Sequence, residues 1–176
     1  MSVIEMVAIM PAPSSTFEAP SEKAWLAVES QLGIALPDDY KEFVHKYGTG
    51  SVDNFLWVFN PTSRNENVNF LDQISAQLKV LIELQSYGEI IPYRLFPAQG
   101  GILPFAITDN GDVLFWLSVG EPNSWTVLVN EARSPEWEVF DMSMSKFLLG
   151  ILSRRLICGH FPKSFPRANP VFYASH

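Results

Sequence analysis

Cysteine and histidine are scarce in this sequence of 176 residues, and each shortage argues against a class of protein. A single cysteine, Cys158, cannot form an internal disulfide, so a reducing compartment is the simpler expectation. The three histidines, His45, His160 and His176, are far apart, and none has a second ligand at the spacing of a metal site. We therefore expect neither a disulfide scaffold nor a zinc site, and nothing in the sequence indicates a cofactor.

Long apolar runs are also missing. The first ten residues are apolar, but they include Glu5 and lack the basic segment and the extended apolar segment of a signal peptide. No run approaches the ~20 apolar residues that cross a bilayer. These absences predict a soluble, cytoplasmic protein that has no membrane partner.

Basic side chains are few in most of the chain. All 19 Asp and Glu residues lie at or before Asp141, where they face only seven Lys and Arg, so this part carries a net charge of −12. The last 35 residues carry +5. An acidic body repels the phosphates of nucleic acids and attracts basic surfaces, so we expect no nucleic-acid partner. The plainer interpretation, that the acidity only keeps the protein in solution, stays open.

The size and composition predict one globular domain. Apolar residues make up 47% of the chain and aromatic residues 13%, which is enough to form a core without crosslinks. Proline and serine are concentrated in residues 11–20, and prolines recur after Gly159. We divide the chain into an N-terminal arm at 1–20, a folded domain at 21–158 and a Pro-rich basic tail at 159–176.

Apolar spacing predicts helices and an antiparallel sheet. Gly33 and Gly48 are placed to end the first two helices. The predicted helices run from about residue 22 to Leu32, from Pro37 to Tyr47, from Asn67 to Gln85, and from Ser143 or Ser145 to Leu152. The predicted strands are Val52 to Phe59, the two arms of a hairpin between Leu103 and Trp116, Trp125 to Asn130, and Trp137 to Phe140.

The hairpin contains the strongest turn signal in the sequence. Asn110-Gly111 suits a two-residue type I′ turn, and that register places Asp109 opposite Asp112. Directly opposed like charges are unfavourable in a hairpin. Either the loop is longer than two residues, or the two carboxylates await a cation or a basic partner. A calcium loop is not indicated, because the further ligands are absent.

Catalytic patterns are absent from the sequence. It contains no nucleophile elbow, no phosphate loop and no dinucleotide fingerprint. Apart from His160, two residues away, nothing near Cys158 indicates a reactive thiol. Asp38 and Glu42 form an i, i+4 pair that fits a solvated helix face better than acid–base chemistry. Four tryptophans lie in apolar strand patterns, which favours core packing over a carbohydrate platform: Trp57, Trp116, Trp125 and Trp137.

One ordered set of motifs is recognisable. It begins with W-L-A-V-E-S-Q-L-G-I-A-L-P-D-D-Y at Trp25, continues through Y-G-T-G at Tyr47, and includes the later L-P-F-A-I-T-D-N-G-D-V-L-F-W. This set resembles the SMI1/KNR4, or SUKH, superfamily over roughly residues 21–152. The resemblance implies an α+β fold of a single domain, with a mainly antiparallel sheet packed by N-terminal, middle and C-terminal helices.

The resemblance also implies a function. Members of this superfamily are mostly bacterial immunity proteins that bind and block the toxins of polymorphic toxin systems, many of them nucleases, whereas fungal relatives act as signalling scaffolds. Our first hypothesis is therefore a non-catalytic immunity protein that occludes a basic cognate toxin. A general interaction module is the alternative, and an enzyme is a third hypothesis that requires a pocket with convergent polar groups.

Acidic residues predicted at helix starts, loops or turns are the candidate contacts for the toxin. Such positions place carboxylates in solvent, where charge speeds association with a basic partner. The candidate set is Asp38, Asp39, Glu42, Asp53, Glu66, Asp109, Asp112 and Glu121.

Overall fold

The computed structural model describes residues 2–175, and this part of the chain contains five α-helices and one seven-stranded sheet. The helices are α1 (Ser2–Ile9), α2 (Glu22–Leu32), α3 (Asp38–Tyr47), α4 (Phe70–Ser86) and α5 (Met144–Leu152), with a 3₁₀ turn at Pro122–Ser124. The strands are β1 (Gly50–Val52), β2 (Leu56–Val58), β3 (Ile102–Thr108), β4 (Val113–Leu117), β5 (Thr126–Asn130), β6 (Trp137–Phe140) and β7 (Phe172–Ala174).

The sheet is antiparallel throughout, in the order β6-β5-β4-β3-β2-β1-β7. Strands β1 to β6 are neighbours in the order of the chain, and β7 returns from the C-terminal segment to pair with β1. Helices α1, α3 and α5 pack together, α5 contacts β5, and α4 packs against β3. The predicted α+β fold of one domain is confirmed.

The main core forms around Trp116, which is fully buried and stacks on Phe105 with ring centroids 4.5 Å apart. Tyr40 of α3 meets Trp116 edge-on at 5.0 Å, and its hydroxyl donates a 2.7 Å hydrogen bond to the Phe59 carbonyl. Burial raises the pKa of Tyr40 well above its usual value.

Two predicted features of the N-terminal helices are confirmed. Gly33 ends α2 with a φ of 71°, and α3 buries its predicted apolar stripe.

Helix α1 was not predicted. Val3, Met6 and Met10 are almost completely buried against the rest of the molecule, and the Met10 carbonyl accepts a 2.7 Å hydrogen bond from the Tyr47 hydroxyl. Nearly every residue of this helix is apolar, so the buried stripe does not stand out from exposed positions such as Ile4.

The single strand predicted from Val52 to Phe59 is wrong, because a tight turn divides it into β1 and β2. Asp53 and Asn54 both have a φ of 54°, a left-handed conformation that Asp and Asn tolerate better than most residues. Phe55 N–H donates to the Val52 carbonyl at 2.9 Å and closes this turn. Because the residues on both sides of Asp53-Asn54 are apolar, the sequence pattern predicts one continuous strand in place of two.

The predicted register of the β3–β4 hairpin is also wrong. Ile107 pairs with Val113, and the Thr108 N–H donates to the Asp112 carbonyl at 2.9 Å, so the loop has three residues, Asp109 to Gly111. Asp109 and Asp112 are therefore not opposed. The longer loop, one of the two alternatives for this pair of aspartates, is the one that the structure shows.

The C-terminal segment packs on the body. Phe161 and Phe165 are buried and contact the Phe55 ring, with centroids 5.7 and 4.6 Å away, before the chain forms β7 at the β1 edge. The chain beyond Gly159 therefore completes both the core and the sheet.

Candidate partner-binding surface

Three of the eight acidic candidates are held inside the fold. Asp53 is 8% exposed, and its two carboxylate oxygens accept the N–H groups of Arg167 at 2.8 Å and Val171 at 2.9 Å. Charge-assisted bonds to backbone N–H groups are among the stronger hydrogen bonds in proteins. Asp53 therefore anchors the C-terminal segment, and its carboxylate is not available to a partner.

Asp112 and Asp39 have similar internal roles. Asp112 is 3% exposed and accepts hydrogen bonds from the Thr108 hydroxyl at 2.8 Å and the Ala132 N–H at 2.9 Å. Asp39, half-buried on α3, accepts the Ser145 N–H at 2.8 Å in the first turn of α5. It supplies the N-terminal cap that the Ser143 side chain does not provide.

Two exposed candidates lie beside the 3₁₀ turn at residues 122–124. Asp38 and the side chain of Asn123 exchange two 2.8 Å hydrogen bonds, and Glu121 directly precedes this turn. Lys41 Nζ lies 3.6 Å from the Asp38 carboxylate and partly offsets its charge. Glu42, a turn further along α3, is half-buried.

The last two candidates border a groove of about 510 Å³ between α4 and the sheet. Trp57 of β2 and Ile107 of β3 are register partners, and both line the groove on the face of the sheet next to α4. Asp109 lines the groove from the β3–β4 loop, and Glu66 is exposed in the opposite loop between two lining residues, Asn65 and Asn67. The groove thus brings together the Trp57 side chain and the Asp109 carboxylate, which are distant in sequence, with Glu66 exposed in a neighbouring loop.

The start of α4 sets the opposite wall of the groove. Asn69 caps this helix, because its side-chain oxygen accepts the N–H groups of Leu71 at 3.0 Å and Asp72 at 3.2 Å. The first turns of α4 then present Gln73, Ala76 and Gln77 to the groove. Ala76 is small, so its side chain takes up little of the groove.

The polar lining of this groove consists of amide side chains, one hydroxyl and one carboxylate. Gln73 donates to the Glu66 carbonyl at 3.0 Å, and Gln77 donates to the Gln73 side-chain oxygen at 2.9 Å. Within residues 2–175, the Asp109 carboxylate has no hydrogen bond or ion pair, and none of the residues that line the groove is basic. The groove is therefore suited to a positively charged or hydrogen-bond-donating group.

The groove was not predicted, and the apolar strand pattern around Trp57 predicts that this side chain lies in the core. Trp116 and Trp125 are buried as predicted, and Trp137 is half-buried but packs against the core, whereas Trp57 is half-buried and lines the groove. Its neighbours Leu56 and Val58 are apolar and buried, so this strand does not alternate in polarity, and the sequence carries no sign that Trp57 faces a groove.

A second concavity, of about 270 Å³, lies between the end of α5 and the C-terminal segment. Cys158 contributes to it and is 3% exposed. Burial raises the pKa of this thiol to about 12, with a smaller contribution from the nearby Glu138 carboxylate. The thiol is therefore protonated at neutral pH and a poor nucleophile.

The Glu138 carboxylate of β6 holds the segment around Cys158. Its Oε1 atom accepts the His160 N–H at 3.1 Å and lies 3.5 Å from the His160 ring atom Nε2 and 3.7 Å from the Cys158 Sγ. Glu131 lies 3.9 Å from the other ring nitrogen of His160. This cluster joins the C-terminal segment to the outer strand β6.

No group of three or more His, Cys, Asp or Glu side chains within residues 2–175 is arranged to hold a metal ion. Over the same residues, none of the helices has the length and apolar character needed to cross a bilayer.

Comparison with known families gives one match. The sequence profile of the SMI1/KNR4 family (SUKH-1) matches residues 19–150, which include α2 to β6, most of α5 and every residue that lines the groove. Helix α1 and strand β7 lie outside the matched range. No curated protein matches the chain.

Proposed function

Because the chain belongs to the SMI1/KNR4 family (SUKH-1), we propose that it is an immunity protein that binds a cognate protein toxin and blocks the active site of that toxin. Membership of this family is consistent with an immunity-type protein. We further propose that the toxin is basic, that a nuclease is the type to expect, and that it belongs to a polymorphic toxin system.

The acidic body is the observation that carries this proposal. Residues 1–141 have a net charge of −12, and five of the candidate carboxylates lie at or near the surface in two regions: Asp38, Glu42 and Glu121 in one, and Glu66 and Asp109 in the other. A surface of one sign speeds the encounter with a partner of the opposite sign. Tight binding then depends on a few well-packed contacts.

The proposed mechanism is occlusion without catalysis. A toxin that acts on nucleic acid contacts the phosphates through basic side chains, and an acidic protein surface competes with the substrate for those side chains. The protonated, buried thiol of Cys158 supports a non-catalytic role, because the only cysteine is not an activated nucleophile.

Rescue of growth tests this proposal. A toxin encoded immediately upstream would be expressed in cells with and without this protein, and we expect survival only when both are present. A chain with Met6→Asp, which places a charge in the core, is the unfolded control and should not rescue. Equal toxicity with and without the intact protein would refute the proposal.

A further inference from the structure

We propose that the groove between α4 and the sheet is the site that receives an arginine side chain of the protein partner, stacked on Trp57 and paired with Asp109. This inference rests on the proposed function, since it takes that partner to be the toxin.

The floor of the groove supplies the stacking surface. Trp57 is half-buried between two buried strand residues, so the ring is held in place while part of it stays accessible. Tryptophan binds cations through its ring face better than the other aromatic side chains do. Aromatic residues fixed in a recess are also the usual anchors of protein interfaces.

The rim supplies the charge. The Asp109 carboxylate has no partner among residues 2–175, and the three-residue loop that carries it is fixed at its base by the bond from the Asp109 N–H to the Phe55 carbonyl, 2.7 Å long. Glu66 lies in the loop across the groove. A cation in the groove therefore gains attraction from the Asp109 carboxylate, and no basic lining residue opposes it.

The chemistry of the lining favours arginine over lysine. A guanidinium group is flat, stacks on aromatic rings, and donates two parallel hydrogen bonds to one carboxylate, whereas an ammonium group is a compact and strongly hydrated charge. The additional acceptors along the α4 wall, such as the Gln77 side-chain oxygen, suit the remaining guanidinium N–H groups. The volume of about 510 Å³ falls in the usual range for ligand sites and is open to solvent along its length.

The first experiment uses N-acetyl-L-arginine amide as the probe, titrated into the full chain and followed by ¹H–¹⁵N NMR. We expect saturable shifts of the Trp57 indole N–H and of the backbone amides of residues 109–111, with a dissociation constant in the millimolar range, about 1–20 mM. N-acetyl-L-lysine amide should bind more weakly. The neutral citrulline analogue, which keeps the shape and loses the charge, should leave these signals unshifted.

Substitutions of exposed residues separate the groove from general charge. Asp109→Asn should weaken arginine binding by at least about threefold, and Ala76→Leu should block the site by filling the space next to Trp57. Asp141→Asn and Ala27→Leu are the matched controls, because both residues are exposed and lie outside the groove, and they should leave binding unchanged. Shifts spread over the acidic surface, or equal effects of the Asp141 and Asp109 variants, would overturn the proposal.

A second experiment separates this inference from the proposed function. With the toxin in hand, Ala76→Leu and Asp109→Asn should reduce affinity at least about tenfold, whereas Ala27→Leu and Asp141→Asn should not. If the toxin is neutralised and all four variants bind it equally, the groove proposal is wrong and the immunity function stands. If the protein neutralises no toxin but the arginine probe still binds at Trp57, the proposed function is wrong and the groove binds the arginine of a different partner.

Discussion

The Asp53 carboxylate accepts hydrogen bonds from two backbone N–H groups, and these bonds tie residues 167 and 171 to the β1–β2 turn. Asp53→Ala removes both acceptors and places alanine at a φ of 54°, so we expect the free energy of unfolding to fall by about 2–4 kcal/mol. Urea denaturation measures this loss. Asp53→Asn, which tolerates the same backbone conformation and keeps one acceptor oxygen, should lose less.

Asp109 provides the contrast for that measurement. It is exposed and its carboxylate has no partner within residues 2–175, so Asp109→Ala should change stability by no more than about 0.5 kcal/mol. If Asp109→Ala lowered the free energy of unfolding as much as Asp53→Ala, the loss at Asp53 would not be evidence that this residue anchors the C-terminal segment.

The raised pKa of Cys158 predicts that the folded protein loses stability at alkaline pH. Burial raises its pKa from 9.0 to about 12 in the folded protein, so above pH 9 the thiol of the unfolded chain loses its proton first. The folded state then binds more protons, and its stability should fall as the pH rises, by up to about 1.4 kcal/mol per pH unit between 9 and 12.

Comparison with a Cys158→Ala chain isolates the contribution of this thiol. Stability measured between pH 7 and 10 should decline more steeply in the intact chain, because Tyr47, with a pKa raised to about 12, contributes to both proteins equally. The thiol should also resist iodoacetamide at pH 8 until the chain is unfolded. Rapid alkylation of the folded protein would contradict the burial and the raised pKa.

Helix α1 shows how much one element outside the matched family range contributes. Met6 is fully buried, and Met6→Ala should therefore lower the free energy of unfolding by about 2–4 kcal/mol. Ile4, 68% exposed on the same helix, is the matched control and should lose less than about 1 kcal/mol on substitution with alanine. Thermal or urea denaturation of the two variants gives the comparison.

The elements differ in how readily the sequence predicts them. Helices α2 and α3 end at glycines and alternate buried and exposed residues with a helical period, so local rules suffice. The turn at Asp53-Asn54 and the strand β7 depend on partners that are distant in the chain, namely residues 167–174 for the turn and β1 for the strand. No local pattern records those partners, and the same holds for the groove, whose walls come from three separate segments.

The charge of the molecule predicts how its association with a partner depends on salt. If the partner is basic, the association rate constant should fall at least about tenfold between 20 and 500 mM NaCl, while the dissociation rate changes much less. Stopped-flow fluorescence measures both. An association rate independent of salt would show that the −12 charge of residues 1–141 serves another purpose.

At the scale of the whole molecule, the sequence predicts the sign of the surface charge but not which carboxylates are exposed. Composition alone gives the excess of acidic residues, yet Asp39, Asp53 and Asp112 turn inward because backbone N–H groups lie within reach. Within the described part of the chain, Asp109 has no such partner and lines the same groove as Trp57, and that proximity follows only from the pairing of β2 with β3.

The outer strand β6 has a consequence for the behaviour of the protein at high concentration. An unpaired strand edge is a template for aggregation, and natural sheets protect such edges with charged side chains and short strands. β6 has four residues and carries Glu138, whose charge also fixes the chain at His160, and the opposite edge, β7, has only three. Neutralising Glu138 would therefore remove a charge that disfavours pairing of this edge with a strand of another chain, as well as a structural contact.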